Sequence, residues 1–98
     1  MDISVTSNTI TIHGDIKSVA DYQAIKSAVD SIKDTHSAIT LKIVDSIFIT
    51  SSIIGYLNRL RLKDKIEITI EVATPQLIEL FEDLNLTELF TIQRVNDA

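Results

Sequence analysis

Three hydroxyl side chains stand in a row at residues 50–52, within the stretch FITSSIIGYLNRL. They separate an apolar run from a segment whose apolar residues recur at helical spacing. An oxygen at this boundary can accept a hydrogen bond from a free N–H group of the first helical turn. The same N–H groups and the helix dipole favour a phosphoryl group, which adds about −1.5 to −2 charge. We therefore expect Ser51 to be the N-cap of a helix, and the triplet is either a cap alone or also a phosphorylation site.

No other group of residues in the sequence indicates catalysis. The two histidines, His13 and His36, lie far apart, and neither has a partner at a metal-ligand spacing. The only glycines are Gly14 and Gly55, so there is no glycine-rich phosphate loop, and the Gly-x-Ser-x-Gly pattern of acyl-transfer enzymes is missing. We expect a protein that is not an enzyme and that has no catalytic residue, no metal site and no cofactor.

Length and composition predict one small domain over residues 1–98, since 45% of the residues are hydrophobic. The chain has no cysteine, which excludes disulfides and fits a reducing compartment. Its first residues do not resemble a signal peptide, and no apolar run approaches the roughly 18 residues of a membrane span. We expect a cytoplasmic protein without membrane insertion. A net charge of −5 and the absence of tryptophan argue against nucleic-acid binding.

The pattern of apolar residues predicts eight elements. They are a hairpin within Ile3–Gly14 with its turn near Ser7–Asn8, a helix Ser18–Asp34, a strand Ser37–Val44, a helix Ser51–Lys63, a strand Lys65–Ala73, a helix from Pro75 to about Asn85, and a last strand or helix around Leu89–Val95. The order β-β-α-β-α-β-α-(β/α) predicts an α/β fold. We expect a mixed sheet of four to five strands with the helices packed mainly on one face.

Two helices carry more detailed expectations. Thr74 followed by Pro75 is typical of a helix start, with a hydroxyl cap before a proline in the first turn. In the helix Ser51–Lys63, the spacing of three or four residues sends one set of side chains to the core: Ile54, Leu57 and either Leu60 or Leu62. The helix that begins at Pro75 is expected to bury a second set: Leu77, Ile78, Leu80, Phe81 and Leu84.

The order of elements and the stretch IFITSSIIGYL resemble STAS domains, the family of the bacterial anti-sigma factor antagonists. The family pattern at the start of the second helix runs apolar-Phe-Ile/Met-Asp-Ser-Ser-Gly-Leu-Gly. The opening ITIHGDI and the closing EVATPQLIELFEDLNLTELFTI are also similar to the family, so the resemblance covers nearly the whole chain. The residues that match the central pattern are Phe48, Ile49, Ser51, Ser52, Ile54 and Gly55.

The resemblance implies a partner switch in signal transduction and transcription regulation. In the family, the first serine of the pattern, here Ser51, is phosphorylated by a serine kinase that is also the anti-sigma factor. The unphosphorylated protein binds this kinase, the phosphorylated protein lets go, and a PP2C-type phosphatase restores the first state. Thr50 and Ser52 would be flanking or alternative acceptors, and the free domain is expected to be a monomer. The residues expected to bind the partner are Ile53, Asn58, Arg59 and Arg61, although charge on an ordinary helix surface also explains the arginines.

Three positions depart from the family pattern. Thr50 replaces the usual aspartate before the serines, Ile53 replaces the glycine after them, and Lys42 falls on an upstream aspartate of many members. The resemblance then implies a less negative surface around Ser51. These departures favour an alternative function, a constitutive adaptor subunit of a lipid transporter or stress-signalling assembly without phosphorylation control. Nucleotide binding ranks last, because no phosphate loop is present.

Overall fold

Strict alternation of apolar and polar residues builds one sheet. In the computed structural model, which describes residues 1–95, five strands lie in the order β1-β2-β3-β4-β5. β1 is antiparallel to β2, and the other three strands run parallel to β2. The expected α/β fold with a mixed five-stranded sheet is therefore confirmed. The strands are β1 (Asp2–Thr6), β2 (Thr9–His13), β3 (Ala38–Ile43), β4 (Glu67–Val72) and β5 (Thr91–Arg94).

Each pair of neighbouring parallel strands is connected through a helix. The helices are α1 (Val19–Asp30), α2 (Ser51–Lys63) and α3 (Pro75–Asp83), and a 3-10 turn (Leu86–Glu88) precedes β5. The three crossovers advance in the same direction, so right-handed connections place all three helices on one face. Among residues 1–95, no helix is both long and apolar enough to pass through a membrane.

The alternation leaves the other face of the sheet open. Parallel strands are usually covered on both faces and read as continuous apolar runs. Here every second residue of β2, β3 and β4 is polar, with the exception of Ala38. A row of threonines crosses the whole sheet in register: Thr6, Thr9, Thr40, Thr69 and Thr91. The residues between them form the core under the helices: Ile10, Ile12, Ile39, Leu41, Ile43, Ile68, Ile70 and Val72.

The helix starts agree only partly with the sequence pattern. α1 begins with a capping box, in which the Ser18 hydroxyl accepts from the Asp21 N–H group and the Asp21 carboxylate accepts from Ser18. Hydrogen bonding to the Lys17 N–H group lowers the pKa of this carboxylate. α3 begins at Pro75 as expected. Thr74 is the N-cap residue as expected, but its hydroxyl accepts no bond from the helix and instead donates to the Ser46 carbonyl at 3.0 Å.

Several core assignments also change. In α2, Leu57 and Leu60 are buried, whereas the alternative candidate Leu62 is 54% exposed. Leu84 was expected in the core but is 51% exposed, because α3 ends at Asp83 and Leu84 turns outward as its C-cap. α1 ends four residues before the expected Asp34, and hydroxyl groups bind main-chain carbonyls in the turn that follows.

Candidate docking and phosphorylation site

One buried serine ties together the three loops that follow β2, β3 and β4. The Ser46 hydroxyl accepts from the N–H groups of Ile16 (3.0 Å) and Phe48 (3.3 Å) and donates to the Phe48 carbonyl (2.8 Å). The Ser46 carbonyl accepts from the Thr74 hydroxyl at 3.0 Å. Ser46 is fully buried. The loop that leads into α2 is therefore held at a fixed position beside its two neighbours.

A second tether holds the same loop. The Asp45 carboxylate accepts from the Gly14 N–H group at 2.6 Å. Gly14 has a φ of +95°, and a Cβ atom there would lie 3.0 Å from the Cα atom of Met1. Only glycine fits this conformation and this close approach without strain. The two tethers together position the segment that carries the hydroxyl triplet.

Thr50, and not Ser51, caps α2. Thr50 has extended backbone angles, and its hydroxyl accepts from the Ile53 N–H group at 3.4 Å. Ser51 and Ser52 are the first two residues of the helix, and both are exposed. The expectation that Ser51 is the N-cap is wrong by one residue. The cap is supplied without it, so the Ser51 hydroxyl faces solvent in the first turn of the helix.

The charges along α2 leave its N-terminus able to accept an anion. The first turn holds no acidic residue, and the last turn holds Arg61 and Lys63. Lys42 does not change this, because it lies on the open face of the sheet, in register with Glu71 and between two buried residues. Lys42 therefore does not contribute to the less negative surface expected around Ser51. That expectation stays with Thr50, which is uncharged where the family pattern has an aspartate.

Two exposed apolar side chains precede the triplet. Ile47 is 40% exposed and Phe48 is 54% exposed, whereas Ile49 packs against the core. The hydrogen bonds of Ser46 to both main-chain groups of Phe48 hold this segment in place, so the exposure belongs to a positioned loop. We call Ile47 and Phe48 the apolar patch. Only Ile49 and Thr50 separate it from the exposed serines.

The outer side of α2 continues this surface. Gly55 lies one turn after Ser51 and Ser52, and a Cβ atom at Gly55 would meet nothing within 4 Å. The fold therefore does not require glycine here, although glycine in a helix interior costs about 1 kcal/mol relative to alanine. Arg59 follows one turn later and is also exposed. We call Ser51, Ser52, Gly55 and Arg59 the outer α2 face.

The remaining predicted docking residues lie elsewhere. Ile53 has no exposed surface, because helical spacing places it on the core side with Leu57, so its expected role on a docking surface is wrong. Asn58 is half-buried, and its Oδ1 atom is buried without a hydrogen-bond partner among residues 1–95. Arg61 is half-buried and lines a groove beside β4 and β5, about 15 Å along the helix from Ser51.

A polar cluster fixes α2 to α1 behind this surface. The Tyr56 hydroxyl donates to the Asp30 carboxylate, which also pairs with Lys26 (3.2 Å) and Lys33 (3.6 Å). Burial raises the pKa of Asp30, but the bonds from Tyr56 and Lys26 outweigh it, so the pKa is lowered. Burial, together with Asp30, raises the pKa of Tyr56. No local pattern in the sequence predicts this cluster, because Asp30 and Tyr56 are 26 residues apart.

Comparisons of the chain with family models, with curated proteins and with solved structures find no match. The likeness to STAS domains accordingly stays a prediction that rests on the sequence pattern and the order of elements.

Proposed function

We propose that this domain is a cytoplasmic partner-switching regulator similar to the anti-sigma factor antagonists. It docks a serine kinase that is also an anti-sigma factor through the apolar patch and the outer α2 face. Phosphorylation of Ser51 by that kinase releases it. One observation carries the proposal: Ser51 is exposed in the first turn of α2, is not needed as the cap, and follows two exposed apolar side chains.

The docking step is supported by the shape and composition of this surface. Ile47 and Phe48 would leave water on contact with a partner, and full burial of such a side chain contributes about 1.5–3 kcal/mol. Gly55 removes the side chain that would hold a partner away from the helix main chain. The surface thus combines an apolar anchor with a helix face that allows close approach.

The release step follows from charge. The Ser51 oxygen attacks the γ-phosphorus of ATP, the new O–P bond forms as the bond to the bridging oxygen breaks, and ADP leaves. The hydroxyl proton passes to a base of the kinase. The phosphate would be favoured by the α2 dipole, because the first turn holds no other acidic residue. The fold therefore persists. A charge beside the apolar patch, which docking would remove from water, opposes docking.

The two neighbouring hydroxyls are less suited to this role. Thr50 is half-buried, and its oxygen accepts the capping bond from Ile53. A phosphate on Thr50 would have to displace that bond. Ser52 is exposed in the same turn as Ser51 and is the alternative acceptor. A PP2C-type phosphatase would restore the hydroxyl by hydrolysis of the phosphate ester.

Affinity capture from the native lysate tests the proposal. The wild type and Ser27→Asp, which changes an exposed serine of α1, should retain the same ATP-binding kinase. Ser51→Asp should lose at least about tenfold of that capture, or about 1.4 kcal/mol, with its unfolding curve unchanged. Equal capture by all three proteins would contradict the switch. It would favour the alternative, a constitutive adaptor whose partner does not sense Ser51.

A further inference from the structure

β1 forms one border of the sheet, and its outer side has no neighbouring strand among residues 1–95. Its five residues pair continuously with β2, so no bulge twists the edge away. The strand contains no proline and no lysine, and its only charge is Asp2. β5, at the other border, is shorter and carries Arg94. An edge strand without these protective features is a template for pairing with another chain.

The directions of the main-chain groups in β2 can be read from its bonds to the next strand. The Thr40 N–H group donates to the Asn8 carbonyl and the Val44 N–H group donates to the Ile12 carbonyl, both at 3.0 Å. Asn8, Ile10 and Ile12 therefore direct their groups toward β3. The alternate residues, Thr9, Thr11 and His13, direct theirs toward β1.

The free groups of β1 follow from its register with β2. Asp2, Ser4 and Thr6 stand opposite those alternate residues, so they use their N–H and C=O groups within the hairpin. The N–H and C=O groups of Ile3 and Val5 consequently point away from the sheet. The edge thus offers two donors and two acceptors in one short, regular row.

We propose that β1 is a self-association edge, at which two copies of this chain pair antiparallel around a two-fold axis beside Ser4. Ile3 of each copy then faces Val5 of the other, and each such pair exchanges both hydrogen bonds. Asp2 faces Thr6 of the other copy, so the two carboxylates stay apart. Each copy contributes the same residues of β1 to the interface, as a two-fold axis requires. The two sheets become one continuous ten-stranded sheet.

The side chains fit the same arrangement. Ile3 and Val5 lie in register with the buried Ile12 and Ile10, so they are on the helix side of the sheet. Val5 is 43% exposed at the border and would be covered by Ile3 of the second copy. On the open face, the Thr6 hydroxyl would meet the Asp2 carboxylate. Side chains match on both faces of the paired strands, which favours a second copy over an unrelated extended segment. A dimer of this kind differs from the expectation of a monomer.

Disulfide trapping tests the register, because the wild-type chain has no cysteine. Across the axis the two Ser4 residues form a non-hydrogen-bonded pair with Cα atoms about 4.5 Å apart, within the range of a disulfide. Ser4→Cys should cross-link to itself. A mixture of the Asp2→Cys and Thr6→Cys variants should form cross-linked dimers, whereas either variant alone should remain largely without cross-links. The control is Gln93→Cys, an exposed position on β5. Cross-linking of Ser4→Cys no faster than that of Gln93→Cys would overturn the proposal.

Sedimentation of the unmodified protein provides an independent test. An interface of two short strands is small, so we expect a weak dimer whose fraction rises toward millimolar concentration. Val5→Lys should stay monomeric, because a lysine protects a strand edge. Val19→Lys is the matched control, since Val19 is 72% exposed in the first turn of α1, and it should associate like the wild type. A wild type that stays monomeric throughout, or a Val5→Lys variant that associates equally well, would refute the edge pairing.

Discussion

Gly55→Ala should stabilise the domain while it weakens docking. Gly55 is in the middle of α2, its φ is not positive, and a Cβ atom would have no neighbour within 4 Å. The substitution therefore introduces no clash and removes the conformational cost of glycine. We expect a gain of about 0.5–1 kcal/mol in the free energy of unfolding. In a domain of this size, that raises Tm by about 4–8 °C per kcal/mol.

Urea unfolding of Gly55→Ala and Gly14→Ala beside the wild type is the assay. Gly14→Ala makes the same change where φ is +95° and where Met1 crowds the new atom, so it should destabilise by about 1–2 kcal/mol. The two glycine variants should therefore change the free energy of unfolding in opposite directions. A loss of stability in Gly55→Ala would refute the view that this position is open. Undiminished capture of the kinase by Gly55→Ala would refute a close approach of the partner at this helix.

Three further predictions concern the elements that hold the site. Ser46→Ala should lower the free energy of unfolding by about 1–3 kcal/mol, because it leaves the buried Ile16 N–H group without its acceptor; chemical denaturation measures this. Tyr56→Phe removes the hydrogen bond to Asp30 and should lower the free energy of unfolding by about 1 kcal/mol at pH 7. The loss is limited to this size because Asp30 is partly exposed and water screens its charge. The pKa of Asp30 in the folded protein is lowered from 3.8, so the loss of stability in Tyr56→Phe should reach its full size above about pH 4. The loss should disappear as the pH falls through the pKa that Asp30 has in the folded protein. Denaturation of both proteins across acidic pH measures this. Lys65 has a φ of +57°, which glycine adopts without steric cost, so Lys65→Gly should raise the free energy of unfolding by about 0.5–1 kcal/mol. Calorimetry should show this as a higher Tm.

The sequence predicts the fold well where local periodicity and tertiary packing agree. The bounds of α2 are those expected, because apolar spacing, capping hydroxyls and the following lysines all indicate the same segment. The hairpin turn at Ser7–Asn8 is likewise confirmed. The exposure of Leu62 and the burial of Leu60 follow the same helical period once the direction of the core is known.

The errors at the site arise where several residues satisfy the same local rule. Each of three consecutive hydroxyls is able to cap a helix, so local pattern alone does not choose Thr50 over Ser51. Tethers from residues about 30 positions away, at Gly14 and Ile16, help to decide where the loop ends. Ile53 is expected to bind the partner because it lies close to the phosphoacceptor in the sequence. Its spacing of four residues from Leu57 instead indicates the core side of the helix.

The clusters that the sequence analysis missed depend on distant contacts. Ser46 had no motif around it, and its role follows from three loops that meet only in the folded sheet. Tyr56 belongs to no motif in the sequence, and only the packing of α1 against α2 brings its hydroxyl to Asp30. Both clusters hold the start and the body of α2, so they support the surface on which the function is proposed.

The most direct test of the central proposal is phosphorylation-site mapping by mass spectrometry of the protein purified from its native cells. We expect a phosphate on Ser51 of the wild type, and no phosphate within residues 50–52 of the protein that carries Ser51→Ala. A protein that carries no phosphate under any growth condition, or that carries it only on residues other than Ser51, would contradict the assignment of Ser51 as the switch.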